Sequence, residues 1–331
     1  MNGKVRVAII GAGSYAEVYH IPALLEHPDA ALVALCRHDA GKLSHLASRL
    51  GVQRTSTDYR EIVDQGDLDA VVISSPHGLH YEHARYALER GLHVLLDKHM
   101  VLRTAQALDL LRLARERKVV FGVAYNRHLD PANLYARRLI RDGVLGDLVF
   151  ARALQLGYPS QGWYTTKALG GGGPFVGRGS HMADLIRWYV GWRPVTVTAT
   201  VRQGAFEVDD GGVFTITFEN GFQCSVASLR DAHRDVDEMA VYGTAGAVVV
   251  SRPLGWQYRW WLVHYGRGGE VQELPRLPEG STSTANFIDA VLGRDELKVP
   301  AEDGVYAVQI IEAAYRSAES GRSIALEPLD L

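Results

Sequence analysis

Cysteine is almost missing from this 331-residue chain: Cys36 and Cys224 are the only two. They lie far apart and outside any Cys-x-x-Cys pair, which excludes a disulfide framework and a structural zinc site and fits a reducing compartment. Each reads as a small buried apolar residue. Long apolar runs are missing as well. Nothing approaches the ~20 uninterrupted apolar residues of a spanning helix, so no membrane partner is expected. The first apolar run starts at Val5, is only six residues long and reads as a strand rather than a leader, so the expected location is cytoplasmic. An excess of one charge is also missing. Lys and Arg number 35 against 38 Asp and Glu, for a net charge of −3, and the positive residues are scattered. Nucleic acid is therefore not an expected partner. There is no internal repeat, and the longest run of one residue is Gly170–Gly173.

What is present is ordinary globular composition, 47% hydrophobic and 22% charged, in a chain long enough for two domains. Residues 1–124 alternate apolar strands (5–10, 31–36, 70–74, 92–96, 119–123) with helical patterns (14–26, 40–50, 59–65, 79–90, 104–117). That alternation is the mark of a doubly wound parallel sheet. Pro22 is expected to break or kink the first helix, Thr104 to cap the last, and Gly91 to stop the fourth. From 125 to 331 the pattern changes. A helix reads over 131–141, strands over 147–156, 195–203, 211–219, 222–228, 236–242, 246–250 and 258–265, and helices over 283–292 and 303–320. Asn220-Gly221 marks a hairpin. The expected fold is an α/β Rossmann domain (1–124) followed by an α+β domain (125–331) with a large, mostly antiparallel open sheet, the helix 303–320 packing back near the first domain. An open sheet face suits a substrate wall or a second subunit, and a homodimer or homotetramer is expected.

The most informative stretch is Val5–Ala16, a strand meeting Gly11-Ala12-Gly13-Ser14-Tyr15-Ala16 and then a helical pattern. Gly-x-Gly-x-x-Ala in that context cradles a dinucleotide pyrophosphate. Gly11 allows the tight turn, Gly13 lets the backbone approach the phosphates, and Ala16 lets the helix pack on the strand. Ser14 and Tyr15 fall inside the cradle. The second strand ends in Arg37-His38 where an NAD-binding version carries an acid. A guanidinium suits a 2′-phosphate, so NADP is read over NAD, with His38 assisting or simply solvated in the loop; the alternative is that Arg37 stacks on the adenine and both cofactors bind. Asp39 reads as the cap of the next helix.

The carboxyl ends of the strands form the ligand crevice of such a sheet, which places Ser75, Pro76 and His80 beside the nicotinamide. Asp97 and Lys98 end another buried strand there. A lysine emerging from an apolar run beside a cationic ring has two reasons to exchange a proton near neutrality.

Gly-Ala-Gly, then Ser-Pro-His-x-x-His at 75–80, Gly-x-His-Val-Leu-x-Asp-Lys at 91–98, Tyr125-Asn126-Arg127, Gly143-x-x-Gly146-Asp147 and the stretch 170–188 occur in order. In this the chain resembles, over essentially its full length, the glucose–fructose oxidoreductase / inositol dehydrogenase (Gfo/Idh/MocA) family. The resemblance implies a nicotinamide enzyme that oxidises or reduces a carbinol or carbonyl carbon of a sugar, sugar acid or cyclitol. It implies that Lys98, in the place of the lysine of Glu-Lys-Pro, anchors the reacting oxygen, with Asp97 for the Glu and His99 for the Pro. It also implies that His181 handles the proton. The family pattern Asp-x-x-x-His-x-x-Asp reads Gly177-x-x-x-His181-x-x-Asp184 here, so the first carboxylate is missing. Asp184, three residues on from His181, is expected to brace the imidazole. Arg178 favours an anionic substrate or faces solvent. Trp163, Tyr164 and Lys167 offer aromatic faces and a donor to a sugar ring, and Asn126 and Arg127 are placed to touch substrate or to join the domains. No metal is expected. Two other readings stay open: an NAD-dependent hydrolase or epimerase using transient oxidation, and a non-catalytic NADP-binding protein.

Overall fold

The apolar runs of the first third form a parallel sheet because each is buried on both faces, which requires helices on either side. The computed structural model describes residues 3–157, 161–230, 235–252, 261–277 and 280–331. Strands β1 (Val5–Ile10), β2 (Ala30–Cys36), β3 (Arg54–Ser56), β4 (Ala70–Ile73), β5 (His93–Leu96) and β6 (Phe121–Val123) lie in the order β3-β2-β1-β4-β5-β6. The order reverses beside β1, so the crevice opens at the carboxyl end of β1 and β4. Strand β3 is three residues long and partly polar, too short to carry a periodic signal.

Helices α1 (Ile21–Glu26), α2 (Ala40–Leu50), α3 (Tyr59–Val63), α4 (His80–Glu89) and α5 (Thr104–Arg117) connect these strands. The helical stretch 14–26 is not broken at Pro22 but carries a π-helical turn just before it. A π-helical turn, Ala16–His20, precedes α1, and Pro22 falls in the first turn of α1, where a missing N–H costs little. Asp39 caps α2 through Lys42 N as expected. Thr104 is the first residue of α5 rather than its cap; Arg103 holds that place without a side-chain bond to the helix's first turn.

The chain divides into two compact units, Met1–Asn126 with Ser281–Val305 and Arg127–Gly280 with Tyr306–Leu331. The first unit takes in 281–305, which the contiguous segments 1–124 and 125–331 had left to the second. The reason is packing. In helix α9 (Ser283–Val291), after α6 (Pro131–Arg141), α7 (Lys167–Gly170) and α8 (Ser180–Val190), the residues Phe287, Ile288 and Val291 join the core of Val5, Val7, Ile9 and Leu35. Beyond it Val299 O accepts from Val123 N, so the edge strand β6 is covered. The last helix, α10 (Ala301–Ser320), has its first turn in the first unit and runs on in the second.

The second unit holds β7 (Leu148–Leu156), β8 (Pro194–Val201), β9 (Gly211–Phe218), β10 (Gln223–Leu229), β11 (Val236–Gly243), β12 (Gly246–Arg252), β13 (Trp261–Gly266) and β14 (Ile324–Ala325). Their order is β13-β12-β11-β7-β10-β9-β8-β14, antiparallel except for the parallel pair β7–β10. Residues 258–260 of the expected last strand lie outside the described residues. One face buries Phe214, Ile216, Cys224, Val226, Ala151 and Ala153. The register sets Thr200, Val213, Ala227, Leu154, Glu238, Ser251 and Trp261 in one row across the other face. Val213 and Trp261 in that row are exposed.

Candidate functional site

At the end of β1 the backbone closes tightly. Gly11 N and Ala12 N both donate to Cys36 O at 2.9 Å, and Gly13 N donates to Gly11 O at 2.7 Å. Gly11 has φ +84°, and a Cβ there would sit 2.4 Å from Ser75 N, so the turn is built against the loop after β4. Gly13 differs: a Cβ there would meet only Gly11 O, at 3.9 Å. The strand turn is closed on the protein side and bare at Gly13, which fits a pyrophosphate approaching the main chain. Tyr15 lies over the first turn of the helix, its ring 4.5 Å from that of Tyr19 and its hydroxyl 3.3 Å from Asn126 Nδ2.

Arg37 folds back onto this turn. Its Nη1 donates to Ala12 O and to Glu17 Oε1, each at 3.0 Å, while Arg49 Nη2 holds Glu17 Oε2 at 2.8 Å. His38 is exposed beside it.

Lys98 follows β5 at the same carboxyl edge. Its backbone N–H donates to Asp97 Oδ1 at 3.0 Å, and the peptide to His99 is cis. Asp97 is buried, with Oδ2 accepting from Ser74 Oγ at 2.8 Å and lying 3.6 Å from His20 Nε2. Burial alone would raise the Asp97 carboxyl. The His20 imidazole, then Lys98 and Ser74, hold it below the usual carboxylate range. His20 is itself fixed by Thr284 Oγ1 at 2.8 Å. Neither His20 nor Thr284 carries a sequence signal, since each acts through a partner distant in the chain.

His80 stands apart from the other residues expected at the cofactor. Its ring is fully buried, Nε2 2.7 Å from Ser75 O and Nδ1 2.8 Å from His99 O. It pins the Ser75-Pro76 loop to the segment after Lys98 rather than presenting a nitrogen to a ligand. Burial pushes two imidazoles in this region down: His83 to about 4 and His99 to about 3. They stay neutral in the folded protein but take protons below about pH 6.5 when unfolded. The unfolded state therefore binds more protons in that window. Stability is full above it and falls with pH, by about 1.4 kcal/mol per pH unit for each such histidine. Urea unfolding at pH 7.5 and 5.0 checks this, and His99→Gln is expected to flatten the dependence.

In the second unit, the glycine run leads into a π-helical turn, Phe175–Gly179, and then α8. Asp209 anchors it, accepting from Gly173 N at 2.8 Å and from Tyr315 Oη at 2.6 Å. Gly172 and Gly173 have no room for a side chain: a Cβ would meet Tyr315 Oη at 2.4 Å and Asp209 O at 2.0 Å. His181 sits in the first turn of α8, nine-tenths buried. Asp184 was expected to brace it. Its Oδ2 is taken by His128 Nε2 at 2.8 Å, and the His128 ring stacks on Trp188 at 4.3 Å. His128 was not singled out in the sequence.

Arg127, expected to touch substrate or to join the domains, is buried and paired. Its Nη2 lies 2.8 and 2.7 Å from the two oxygens of Asp237, which also accepts from Arg252 Nη2 at 2.7 Å and Gln155 Nε2 at 2.5 Å. Burial lowers the Arg127 guanidinium to about 10, still charged at neutral pH. Burial would raise Asp237, but Arg127, Arg252 and Arg178 hold it below the usual range. Arg178 Nη1 donates to Leu156 O at 2.7 Å, and its Nη2 lies 3.5 Å from Asp235, so it is tied to the end of β7 rather than turned to solvent. Trp163 and Tyr164 stack on each other at 3.7 Å in the turn Gly162–Thr165, and Lys167 is exposed at the start of α7. Among the described residues no helix is long and apolar enough to cross a membrane, and no group of three or more His, Cys, Asp or Glu is placed to hold a metal ion.

Residues 5–125 match the model of a family described as GFO_IDH_MocA, oxidoreductase family, NAD-binding Rossmann fold, and residues 133–249 match its C-terminal domain. The D-glucoside 3-dehydrogenase of Escherichia coli is 28% identical over 355 aligned residues, covering 98% of each chain. An aldose–aldose oxidoreductase from Caulobacter crescentus, crystallised with glycerol, superposes with a TM-score of 0.88 at 25% identity, over 98% of this chain and 100% of that one. GenD2 from gentamicin A biosynthesis, solved with NAD, gives 0.84 at 27% identity, over 99% and 98%.

Proposed function

Because the chain belongs to the GFO/IDH/MocA family of oxidoreductases, we propose that it interconverts a carbinol and a carbonyl carbon of a sugar, sugar acid or cyclitol, with NADP preferred over NAD. The observation that carries the reading is Lys98, held at the carboxyl edge of the same sheet as the Gly11–Gly13 cradle by Asp97, Ser74 and His20. The nicotinamide dinucleotide supplies the hydride acceptor or donor when bound. Gly11, Gly13, Ser14, Tyr15 and Ala16 receive its pyrophosphate, and Arg37 with His38 its adenosine ribose. Ser75, Pro76 and Asp97 shape the floor. Lys98 donates a hydrogen bond to the reacting oxygen and stabilises the negative charge that develops there. His181 takes or returns the hydroxyl proton. Trp163, Tyr164, Lys167 and Asn126 serve the sugar ring. Arg178 and Asp184 position the turn and helix that carry His181. The names of the relatives, a glucoside dehydrogenase and an aldose oxidoreductase, support a sugar-like substrate.

The test is a panel of aldoses, polyols and sugar acids with NADP and with NAD, read at 340 nm as reduced cofactor. Turnover of at least one carbohydrate with either cofactor is expected, and none with any would remove the reading. The protein is further proposed to be a homodimer or homotetramer through the sheet face carrying Val213 and Trp261. Sedimentation equilibrium is expected to give a multiple of 36.4 kDa, and a monomer at micromolar concentration would exclude it.

A further inference from the structure

The acid that bears on cofactor choice is not where the second strand would put it. Asp39, just past that strand, is turned to the backbone N–H of Lys42 at 3.0 Å, where it caps α2. The carboxylate on Arg37 comes from the other side of the turn. Glu17, on the π-helical turn after the fingerprint, holds Arg37 Nη1 with one oxygen and Arg49 Nη2 with the other. Arg37 and Glu17 are largely buried, with side chains 14% and 26% exposed, so solvent screens their pairing less than a surface pair. The second bond of Nη1, to Ala12 O, fixes the guanidinium against the cradle.

From this we propose that Glu17 is a specificity-determining residue that restrains the preference for the phosphorylated dinucleotide. A 2′-hydroxyl is neutral and leaves the Arg37–Glu17 pair intact. A 2′-phosphate brought to the Nε and Nη2 donors of Arg37 lies on a guanidinium whose charge is already matched by Glu17, and it meets a like charge beside it. Arg49 offsets part of that repulsion, so the phosphate is weakened rather than rejected. The arrangement makes the protein a user of both cofactors whose bias is set by a residue outside the second strand. This rests on the reading that Arg37 faces the 2′ position.

Fluorescence titration of NADPH and NADH against the intact protein and its E17Q, R37Q and E17Q/R37Q variants tests both. Glu17→Gln is expected to tighten NADPH about five- to tenfold, the scale of a partly screened ion pair, with NADH within about twofold. Far-UV circular dichroism reports that each variant is folded. Arg37→Gln is expected to abolish the NADPH preference, and Glu17→Gln is expected to add nothing in that background. NADPH affinity unchanged or weaker in E17Q, while R37Q still loses the preference, would overturn the role of Glu17 and leave the reading of Arg37 standing. A gain from E17Q that persists without Arg37 would overturn it too, since the effect would then be a general field. An unchanged NADPH/NADH ratio in R37Q would remove the reading of Arg37, and the role of Glu17 with it.

Discussion

Lys98→Met is expected to lower kcat about a thousandfold, the scale of losing a positioned proton donor, while affinity for the dinucleotide stays within about twofold. Methionine keeps most of the side-chain length and loses the ammonium group. The surrounding geometry argues for so large an effect with so little effect on binding. The backbone N–H of Lys98 is fixed by Asp97, and Asp97 by Ser74 Oγ, through atoms that the substitution leaves alone. The site is expected to keep its shape and to lose the charge proposed to act at the reacting oxygen. Stopped-flow single-turnover rates separate the loss in the hydride step from binding or release. His181→Ala is expected to fall by a similar factor, with the loss partly restored at high pH if the residue serves as a base. A Lys98→Met enzyme with more than about a tenth of the wild-type rate would take Lys98 out of the chemistry.

The second large effect is on stability. Asp237→Ala is expected to cost about 3–5 kcal/mol, because it removes the carboxylate that the buried Arg127 guanidinium holds with two contacts. Arg252 shares the same oxygen but is more exposed and can turn toward water, so Arg127 dominates the loss. The double variant Arg127→Met with Asp237→Leu is expected to recover more than half of it, since an apolar pair of similar volume needs no counter-charge. Urea unfolding of the four proteins gives the coupling directly. A single-variant cost below about 1 kcal/mol would mean that water reaches Arg127 in solution.

These two sites were not equally readable. The position of Lys98 at a strand end was legible because its surroundings are local: an apolar strand, its end, and a fixed place after the fingerprint. The turn at Gly11 and Gly13 was legible for the same reason, its geometry being set within six residues. The pairing of Arg127 was not legible. Its sequence neighbours show a junction between two patterns, but its partner is 110 residues away. His128 finds Asp184 at a separation of 56, and His20 finds Thr284 at 264. Pairings at such distances leave no periodic trace, and nothing in either segment alone distinguishes a buried ion pair from a surface one.

The sequence by itself determined the elements that repeat a local rule. Those are the alternation that makes a parallel sheet, the tight glycine turn after the first strand, the Asn220-Gly221 hairpin and the apolar stripes of the helices. Burial periodicity and turn sterics act over a few residues, so they are written in the order of the residues. Only the tertiary structure decided which polar groups meet. It placed Glu17 rather than Asp39 on Arg37, committed Arg127 to Asp237, closed both nitrogens of His80 on main-chain carbonyls and drew α9 into the first unit. Each of those outcomes follows from the cost of burying an unmatched polar or apolar group, and that cost is settled among neighbours in space.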